Sequence, residues 1–523
     1  MSGEPSTSSL LPPRSSTTIY PLSKATPSFV IDQHKKTYKY QYSNIYFIRL
    51  KHLREPVEDN AFLKWKGISG NPVLVPRVLD VEKGRLCYII GTVYMDMPLK
   101  PNVLIDIARD QSIPPPPPLA KFCSDEDQTM LEDESGRIRL VGPTIDAAKL
   151  VTGVIIGALG METPNGDFEV VDICYAGMAP QIPPDEAGEE TMNIDDTKTS
   201  GAEDEWIAAI SGLDVGSPAA GAQIQMLAEY LSGEGGDMGV PAAQISRLII
   251  AGNSLTAAAS LTIDSVQDEA PKDRQFTDIG NISLHPIHTL SSALEDVASI
   301  MPIHVLPGEL DPSGTILPQQ PFPRAMFGDA AKYPTFICET NPTYLILGTN
   351  PESQPARPRI RRTLLINSGQ PLNDMFKYLK SPPNTRLSVL ESTLRWRHMA
   401  PTAPDTLWCH PYLSEDPFII NETPHIYIVG DQKKFATKLV VQNPQSRNEH
   451  AVKCRIVALP VFSKTGEFAL INLRTLEVKC QKFTVFNLSG AQEDTVMQVE
   501  QELPSTMPLQ MTQDSLPESS MEY

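Results

Sequence analysis

The chain has 523 residues, of which 41% are hydrophobic, so it is long enough to form more than one buried core. Its formal net charge of −19 argues against strong, non-specific binding of duplex DNA through the whole surface. Its seven cysteines are scattered without a Cys-x-x-Cys pair, which predicts reduced intracellular thiols, and its longest apolar run, residues 150–161, is too short to span a bilayer.

The N-terminal region divides into a polar tail and a basic, aromatic stretch. Residues 1–28 are rich in Ser, Thr and Pro, and we expect a disordered tail because they can bury little apolar surface. Residues 34–54 alternate lysine or arginine with tyrosine and contain no acidic residue, which would suit stacking on nucleic-acid bases. The same stretch carries an apolar stripe at helical spacing, which predicts an amphipathic helix ending near Pro56. We favour packing over nucleic-acid binding, because the stripe accounts for most of the aromatic residues.

Residues 73–176 show the pattern of strands and turns rather than of helices. Five candidate strands occupy residues 85–94, 103–108, 136–142, 150–157 and 167–175. Five strands with glycine at the bends are typical of an OB-type barrel. Because these strands carry few exposed aromatic or positive residues, we favour a protein-binding or packing barrel over one that binds single strands. The proline-containing stretch 111–135 is predicted to be a flexible loop.

The central part of the chain predicts a β-α-β-α-β unit. An acidic linker over residues 183–205 precedes it. Three short apolar runs then each lead into a polar loop, at residues 209–217, 248–255 and 303–312, with helical patterns between them. Parallel strands of this kind place their loops at one edge of the sheet, where α/β proteins carry their chemistry.

The remaining sequence continues the α/β pattern and ends in a second polar tail. Strands are predicted at residues 344–349, 363–368 and 425–430, with a helix over 386–399. Two further β runs, 453–462 and 467–486, are predicted to form a hairpin through the turn at 464–467, and residues 489–523 are expected to be disordered.

The three polar loops resemble, in order and setting, three motifs of the calcineurin-like metallophosphoesterases: Asp-x-His, Gly-Asp-x-x-Asp and Gly-Asn-His-Asp. The fourth family motif, Gly-His-x-His, would fall at residues 426–433. In the active family these side chains hold two metal ions that activate a water. At the motif positions this chain has Asp214, Gly216, Asn253, Glu309, Leu310, Asp311, Asp431 and Lys433.

Most of the ligands that this resemblance requires are missing. A lysine ammonium has no lone pair to donate to a metal, and a leucine side chain cannot ligate one. His285, His288 and His304 lack a cysteine partner at zinc-ligand spacing and are interpreted as structural or surface residues. The sequence therefore predicts no catalytic residue, no cofactor site and no metal site in this chain.

A narrower resemblance lies in the third loop and in three shorter segments. Residues 307–321, with 211–214, 365–370 and 403–407, are similar to the B subunits of eukaryotic replicative DNA polymerases, especially that of polymerase delta. The likeness extends from about residue 42 to about residue 486. It implies an α+β multi-domain fold, in which a helix and five-stranded OB-type β-barrel (29–182) pack on an inactive calcineurin-like α/β phosphoesterase sandwich (206–488).

The resemblance also implies a function and a set of partners. We expect a nuclear, non-catalytic scaffold for DNA replication and repair that bridges two proteins. These are the cysteine-rich C-terminal domain of the polymerase catalytic subunit, which would carry any zinc or iron–sulfur cluster, and a third subunit that links indirectly to the sliding clamp and DNA. The alternatives are a B subunit of polymerase alpha or epsilon, which tend to carry a helical extension before the barrel, or a divergent metallophosphoesterase.

Overall fold

The computed structural model describes residues 14–32, 34, 36–101, 119–183, 205–217, 220–234, 240–255, 284–349, 360–443 and 451–484. None of the helices within these ranges is both long and apolar enough to cross a membrane. The strands are β1 (Thr17–Tyr20), β2 (Val73–Leu74), β3 (Cys87–Asp96), β4 (Gln128–Glu132), β5 (Arg137–Val141), β6 (Ile155–Glu162), β7 (Phe168–Cys174), β8 (Trp206–Ile210), β9 (Ile245–Ala251), β10 (Ile303–Leu306), β11 (Phe336–Cys338), β12 (Thr343–Thr349), β13 (Arg361–Asn367), β14 (Ile426–Gln432), β15 (Ala436–Gln442), β16 (Val452–Pro460), β17 (Glu467–Asn472) and β18 (Val478–Lys482). The α-helices are α1 (Ser43–Trp65), α2 (Pro143–Ala147), α3 (Ala220–Ser232), α4 (His285–Ile300), α5 (Gln370–Tyr378), α6 (Arg386–Trp396) and α7 (Phe462–Thr465).

The N-terminal sheet is organised around the long strand β3. This strand pairs antiparallel with β4 on one side and with β6 on the other. β4 pairs with β5, β5 with β7 and β7 with β6, so the pairings return to β3. The predicted strands at 85–94, 136–142 and 167–175 are confirmed as β3, β5 and β7, whereas the strand predicted over 150–157 begins only at Ile155. The strand predicted at 103–108 lies outside the described residues.

Two predictions in this region are wrong in instructive ways. Residues 128–132, assigned to a flexible loop, form β4, because β3 and β5 supply hydrogen-bond partners on both of its edges. Helix α1 does not end near Pro56 but continues to Trp65. A proline inside a helix removes one hydrogen bond, yet Val57, Ala61 and Trp65 extend the buried face beyond it against the sheet. Packing therefore decides the length of the helix.

Two mixed six-stranded sheets lie at the centre of the remaining described residues. Their strand orders are β1-β12-β13-β14-β16-β15 and β11-β10-β9-β8-β17-β18. Apolar side chains from both sheets, including Ile207, Ile249, Leu364 and Ile428, form one buried layer between them. The predicted β-α-β-α-β unit is confirmed, since β8, β9 and β10 are parallel and α3 and α4 connect them.

The hairpin predicted around residues 464–467 is wrong. β16 pairs with β14 and β15, whereas β17 pairs with β8 and β18 in the other sheet. The short helix α7 and Gly466, whose φ is +69°, carry the chain from one sheet to the other. β16 and β17 are both largely buried, and the segment between them is short in a hairpin as well as in a crossing between sheets. The local sequence pattern therefore does not distinguish the two arrangements.

The first 28 residues are partly structured, which corrects the expectation of a disordered tail for residues 14–28. β1 pairs antiparallel with β12 at the edge of its sheet. The Arg14 guanidinium donates hydrogen bonds to the carbonyl oxygens of Leu231 and Ile245, at 2.5 and 2.9 Å. Composition alone predicts disorder here, but the open edge of β12 supplies the backbone partners. Residues 1–13, most of the acidic linker and the tail 489–523 lie outside the described residues, although Glu205, at the end of that linker, is buried beside Arg474.

A buried charge cluster joins α1 to the segment between α6 and β14. The Arg49 guanidinium, fully buried, lies 2.8 Å from the Asp416 carboxylate and donates to the carbonyls of Gly153, Pro401 and Ala403. His398 Nε2 is 2.9 Å from the same carboxylate. Although burial alone would raise the pKa of Asp416, the charge of Arg49 and the His398 contact hold it well below its usual range. Arg49 thus ties the N-terminal helix to three separate segments of the chain.

The same cluster predicts a pH-dependent term in stability. Burial and the charge of Arg49 lower the pKa of His398 to about 4, against about 6.5 in an unfolded chain. Between these pH values the unfolded state binds a proton that the folded state does not, so His398 contributes stability that is lost as pH falls. From pH 7 to pH 5 we expect the wild type to lose on the order of 2 kcal/mol relative to His398→Gln.

Chemical denaturation of both proteins at a series of pH values measures this difference directly. Comparing the two proteins cancels the other titrating groups, including carboxyls such as Asp311 whose shifts act in the opposite direction. A difference in unfolding free energy that stays constant from pH 7 to pH 5 would show that His398 binds protons equally in both states.

Candidate functional site

The loops that carry the motif positions meet at one edge of the two sheets. Asp214 follows β8, Asn253 follows β9 and Asp311 follows β10, and these strands are parallel neighbours. The Asp214 backbone N–H donates to the Asn253 carbonyl at 3.2 Å. Asp431 reaches the same place from the end of β14 in the facing sheet, where its backbone N–H donates to Ser211 Oγ at 3.0 Å. The fold therefore brings together the four segments that the resemblance selected.

Three of the motif residues share an unusual backbone conformation. Asp214, Asn253 and Asp431 have φ values of +49°, +56° and +51°. Left-handed conformations are disfavoured for most residues with a side chain, and Asn and Asp tolerate them best. Such conformations concentrate at functional sites.

The Asp311 carboxylate is bonded to the protein's own backbone. Its two oxygens accept hydrogen bonds from the N–H groups of Leu255 and Gly308, each at 2.8 Å. The side chain is only 5% exposed, and burial raises its pKa to about 6 despite these bonds. A carboxylate held in this way clamps the second loop to the third.

The side chains of Asn253 and Asp431 also accept hydrogen bonds from other residues of the chain. Asn253 Oδ1 accepts from the Leu310 N–H at 3.1 Å. Asp431 Oδ2 accepts from Asn373 Nδ2 at 2.9 Å, and burial raises the pKa of Asp431. At both positions, a side-chain oxygen that could point at a ligand is hydrogen-bonded to a neighbouring segment, the third loop for Asn253 and helix α5 for Asp431.

The remaining motif positions offer no ligand atoms of the required kind. Gly216 has no side chain, Leu310 is apolar and 47% exposed, and Lys433 is an exposed cation. Glu309 is exposed and lies close enough to Asp431 to raise the pKa of that carboxyl further. Within the described part of the chain, no three His, Cys, Asp or Glu residues are grouped so that they could hold a metal ion. The donor set does not fit a two-metal centre.

A network of amide side chains packs behind the cleft, a role that motif comparison did not reveal. Gln319 Nε2 donates to the Gly308 carbonyl at 2.9 Å, and its Oε1 accepts from Asn341 and Gln370 at 2.7 and 3.1 Å. Ser368 Oγ donates to Gln370 at 2.8 Å. Gln319 lies in residues 307–321, and Ser368 and Gln370 lie in residues 365–370. Two segments chosen for their resemblance are thus parts of one buried network.

The histidines considered as metal ligands lie apart from this site. His304 is fully buried in β10, between Arg247 Nη1 at 2.6 Å and Glu339 Oε1 at 2.8 Å. His285 and His288 lie in the first turn of α4. The His304 contacts join β9 to the segment after β11 and are structural.

Comparison with known families and proteins agrees with this architecture. A family model described as DNA polymerase delta subunit OB-fold domain matches residues 41–173, and a second model, that of the B subunit of DNA polymerases alpha and epsilon, matches residues 207–437. The chain is 36% identical over 448 residues to the DNA polymerase delta small subunit of Arabidopsis thaliana, covering 85% of this chain and 91% of that protein.

Two further relatives carry the same name. The DNA polymerase delta small subunit of Oryza sativa is 36% identical over 457 residues, covering 86% of this chain and 95% of the relative. That of Saccharomyces cerevisiae is 33% identical over 493 residues, covering 88% and 93%. With the two domain matches, this extent of similarity shows that the chain belongs to the DNA polymerase delta small subunit family.

Proposed function

We propose that this chain is a non-catalytic scaffold of a DNA polymerase delta complex. One observation carries the proposal: the four motif loops still converge, but the side chains of Asn253, Asp311 and Asp431 bond to the protein itself. A fold held by apolar packing survives the loss of its ligands, since metal is not what holds the strands together. What remains is a rigid body, and rigid surfaces suit stable subunit interfaces.

The finer description of the fold belongs to the same proposal. We infer that the ring of pairings from β3 through β4, β5, β7 and β6 is a closed, five-stranded OB-type barrel. We further infer that the two facing sheets are a calcineurin-like phosphoesterase sandwich. The parallel order of β8, β9 and β10 and the position of the loops at their carboxyl ends support this assignment.

We propose two direct partners for the scaffold. One is the cysteine-rich C-terminal domain of the catalytic subunit and the other is the third subunit, which would link the complex to the sliding clamp and to DNA. Any zinc or iron–sulfur cluster is assigned to the catalytic subunit, because the seven cysteines of this chain are free thiols on separate elements. A role in replication and repair would place the complex in the nucleus.

Co-expression tests the scaffold proposal. We expect this chain, the catalytic subunit and the third subunit to co-purify as an equimolar complex, and the catalytic and third subunits to separate when this chain is omitted. Gel filtration with quantitative staining measures the composition. Assembly of the other two subunits without this chain would contradict the bridging role.

The same proposal predicts no hydrolytic activity. The purified chain should not hydrolyse a phosphodiester substrate with Mn²⁺, Mg²⁺ or Zn²⁺, because too few ligands remain to lower the pKa of a bound water. Turnover of a chromogenic diester measures this, with an active metallophosphoesterase as the positive control. Turnover that disappears in Asp214→Ala would instead support the divergent-enzyme alternative.

A further inference from the structure

A cluster of three positive side chains lies beside Asp431, to which Asn373 connects it, and the contacts described above do not include these cations. Lys121 precedes β4, Arg386 begins α6 and Lys433 follows β14, so three distant segments contribute one cation each. Lys121 and Arg386 both lie against the Phe376 ring, and Arg386 Nη1 donates to Oε1 of Gln432, the residue before Lys433, so the three segments meet at one place. We call Lys121, Arg386 and Lys433 the basic cluster. The cluster is positive, although the chain as a whole has a formal net charge of −19.

The two inner members of the cluster are held in place by one aromatic ring. The Lys121 ammonium lies 5.0 Å and the Arg386 guanidinium 4.3 Å from the centroid of the Phe376 ring, which is itself buried. Lys121 Nζ also donates to the carbonyl oxygens of Phe376 and Leu379, at 2.5 and 2.7 Å. Cation–π contacts and short hydrogen bonds fix both charges before any ligand arrives. Such pre-ordering lowers the entropy lost on binding.

The partners of these two cations in the described structure are neutral atoms. Arg386 Nη1 donates to Asn373 Oδ1 and to Gln432 Oε1, and Nε and Nη2 have no acceptor among the described residues. Asn373 bridges Arg386 to the Asp431 carboxylate, since it accepts from the guanidinium and donates to the carboxylate. Lys433 is exposed and forms no ion pair with any described residue. Half-buried cations without a direct counter-ion favour an anionic ligand, and the free guanidinium edge matches two phosphate oxygens.

We propose that the basic cluster binds the phosphodiester backbone of DNA, without regard to sequence. The proposal rests on the proposed function, because membership of a polymerase assembly brings DNA to this surface. Three cations can contact about three phosphates, so binding by the isolated chain is weak and depends steeply on salt. Within the assembled polymerase the DNA is already held, and the high effective concentration makes a weak contact sufficient.

Fluorescence anisotropy with a short labelled DNA duplex tests the proposal on the full chain. The expected slope of log affinity against log salt is about −2.7, which means that affinity falls about fortyfold from about 50 to about 200 mM salt. Replacing the cluster by Lys121→Gln, Arg386→Gln and Lys433→Gln should bring the slope close to zero. The matched control changes three exposed lysines elsewhere to glutamine, namely Lys24, Lys66 and Lys332. It has the same net charge as the cluster variant and should nevertheless keep the wild-type slope.

Two further measurements separate DNA binding from misfolding and from binding of acidic peptides. Lys433→Glu alters only an exposed side chain, so it should fold normally and still weaken DNA binding about tenfold at low salt. Poly-aspartate provides the competing ligand: if it displaces DNA at an equal concentration of charges, the cluster is a site for acidic peptides and the DNA proposal is wrong. Equal losses in the cluster and control variants, or no binding at low salt, would also overturn it. Co-purification with the other subunits is measured separately, so failure of this proposal leaves the scaffold proposal standing.

Discussion

Replacing Arg49 with methionine is expected to lower the free energy of unfolding by about 3–5 kcal/mol, since it leaves the Asp416 carboxylate buried without its cation. Both side chains are fully inaccessible to solvent. The change also removes three hydrogen bonds to the carbonyls of Gly153, Pro401 and Ala403, which lie in two segments far apart in the chain. Urea denaturation of the full chain measures the loss. Because these bonds fix α1 to the segment between α6 and β14, the N-terminal sheet should also become more sensitive to proteolysis.

Two comparisons separate the buried charge from general damage to α1. The double variant Arg49→Met, Asp416→Asn should recover most of the lost stability, because no unpaired charge then remains. Arg54→Met, at a partly exposed position of the same helix, should change stability by less than about 0.5 kcal/mol.

The loss in Arg49→Met should be smaller at pH 5 than at pH 8, because His398 no longer faces Arg49 and can take up a proton beside Asp416. Equal losses in the single and double variants would mean that packing, not charge, explains the effect.

Alanine at position 308 is expected to destabilise the protein by about 3 kcal/mol through a collision within the cleft. A Cβ atom there would lie 2.2 Å from Asn253 Oδ1 and 2.3 Å from the Asn253 backbone nitrogen. The backbone nitrogen cannot move without disturbing the loop after β9, and the Gly308 N–H also donates to Asp311. Only glycine allows these two loops to approach so closely. Thermal and chemical denaturation both measure the effect.

The same loop contains its own control. Gly314 has no atom within 4 Å of an added Cβ, so Gly314→Ala should leave stability within about 0.5 kcal/mol of wild type. If the scaffold proposal is right, Gly308→Ala should weaken subunit assembly only as far as it unfolds the chain. A Gly308→Ala protein as stable as Gly314→Ala would show that the loops are free to separate, contrary to the structure.

The candidate site was predictable in its position but not in its chemistry. Short apolar runs ending in polar loops predicted that Asp214, Asn253 and Asp311 lie at one edge of a parallel sheet, and they do. Their hydrogen bonds could not be predicted, because the partner atoms belong to segments that are distant in the sequence and become neighbours only in the folded chain. The buried contacts of Gln319 with Asn341 and Gln370 are of the same kind, since the resemblance of residues 307–321 to a family indicates no contact partner for Gln319.

The amino-acid sequence by itself determined the elements of secondary structure that depend on residues close to one another in the chain. Hydrophobic periodicity and glycine or proline at the ends of elements predicted the β-α-β-α-β unit and three of the six strands of the N-terminal sheet, β3, β5 and β7, because these signals span only about 5–15 residues. Only the tertiary structure decided that residues 14–28 include an edge strand, that α1 continues through Pro56, and that β16 and β17 belong to different sheets. It also decided the pairing of Arg49 with Asp416, 367 residues apart. In each case a segment with weak or ambiguous local preference is stabilised by partners far away in the sequence, and packing then outweighs propensity.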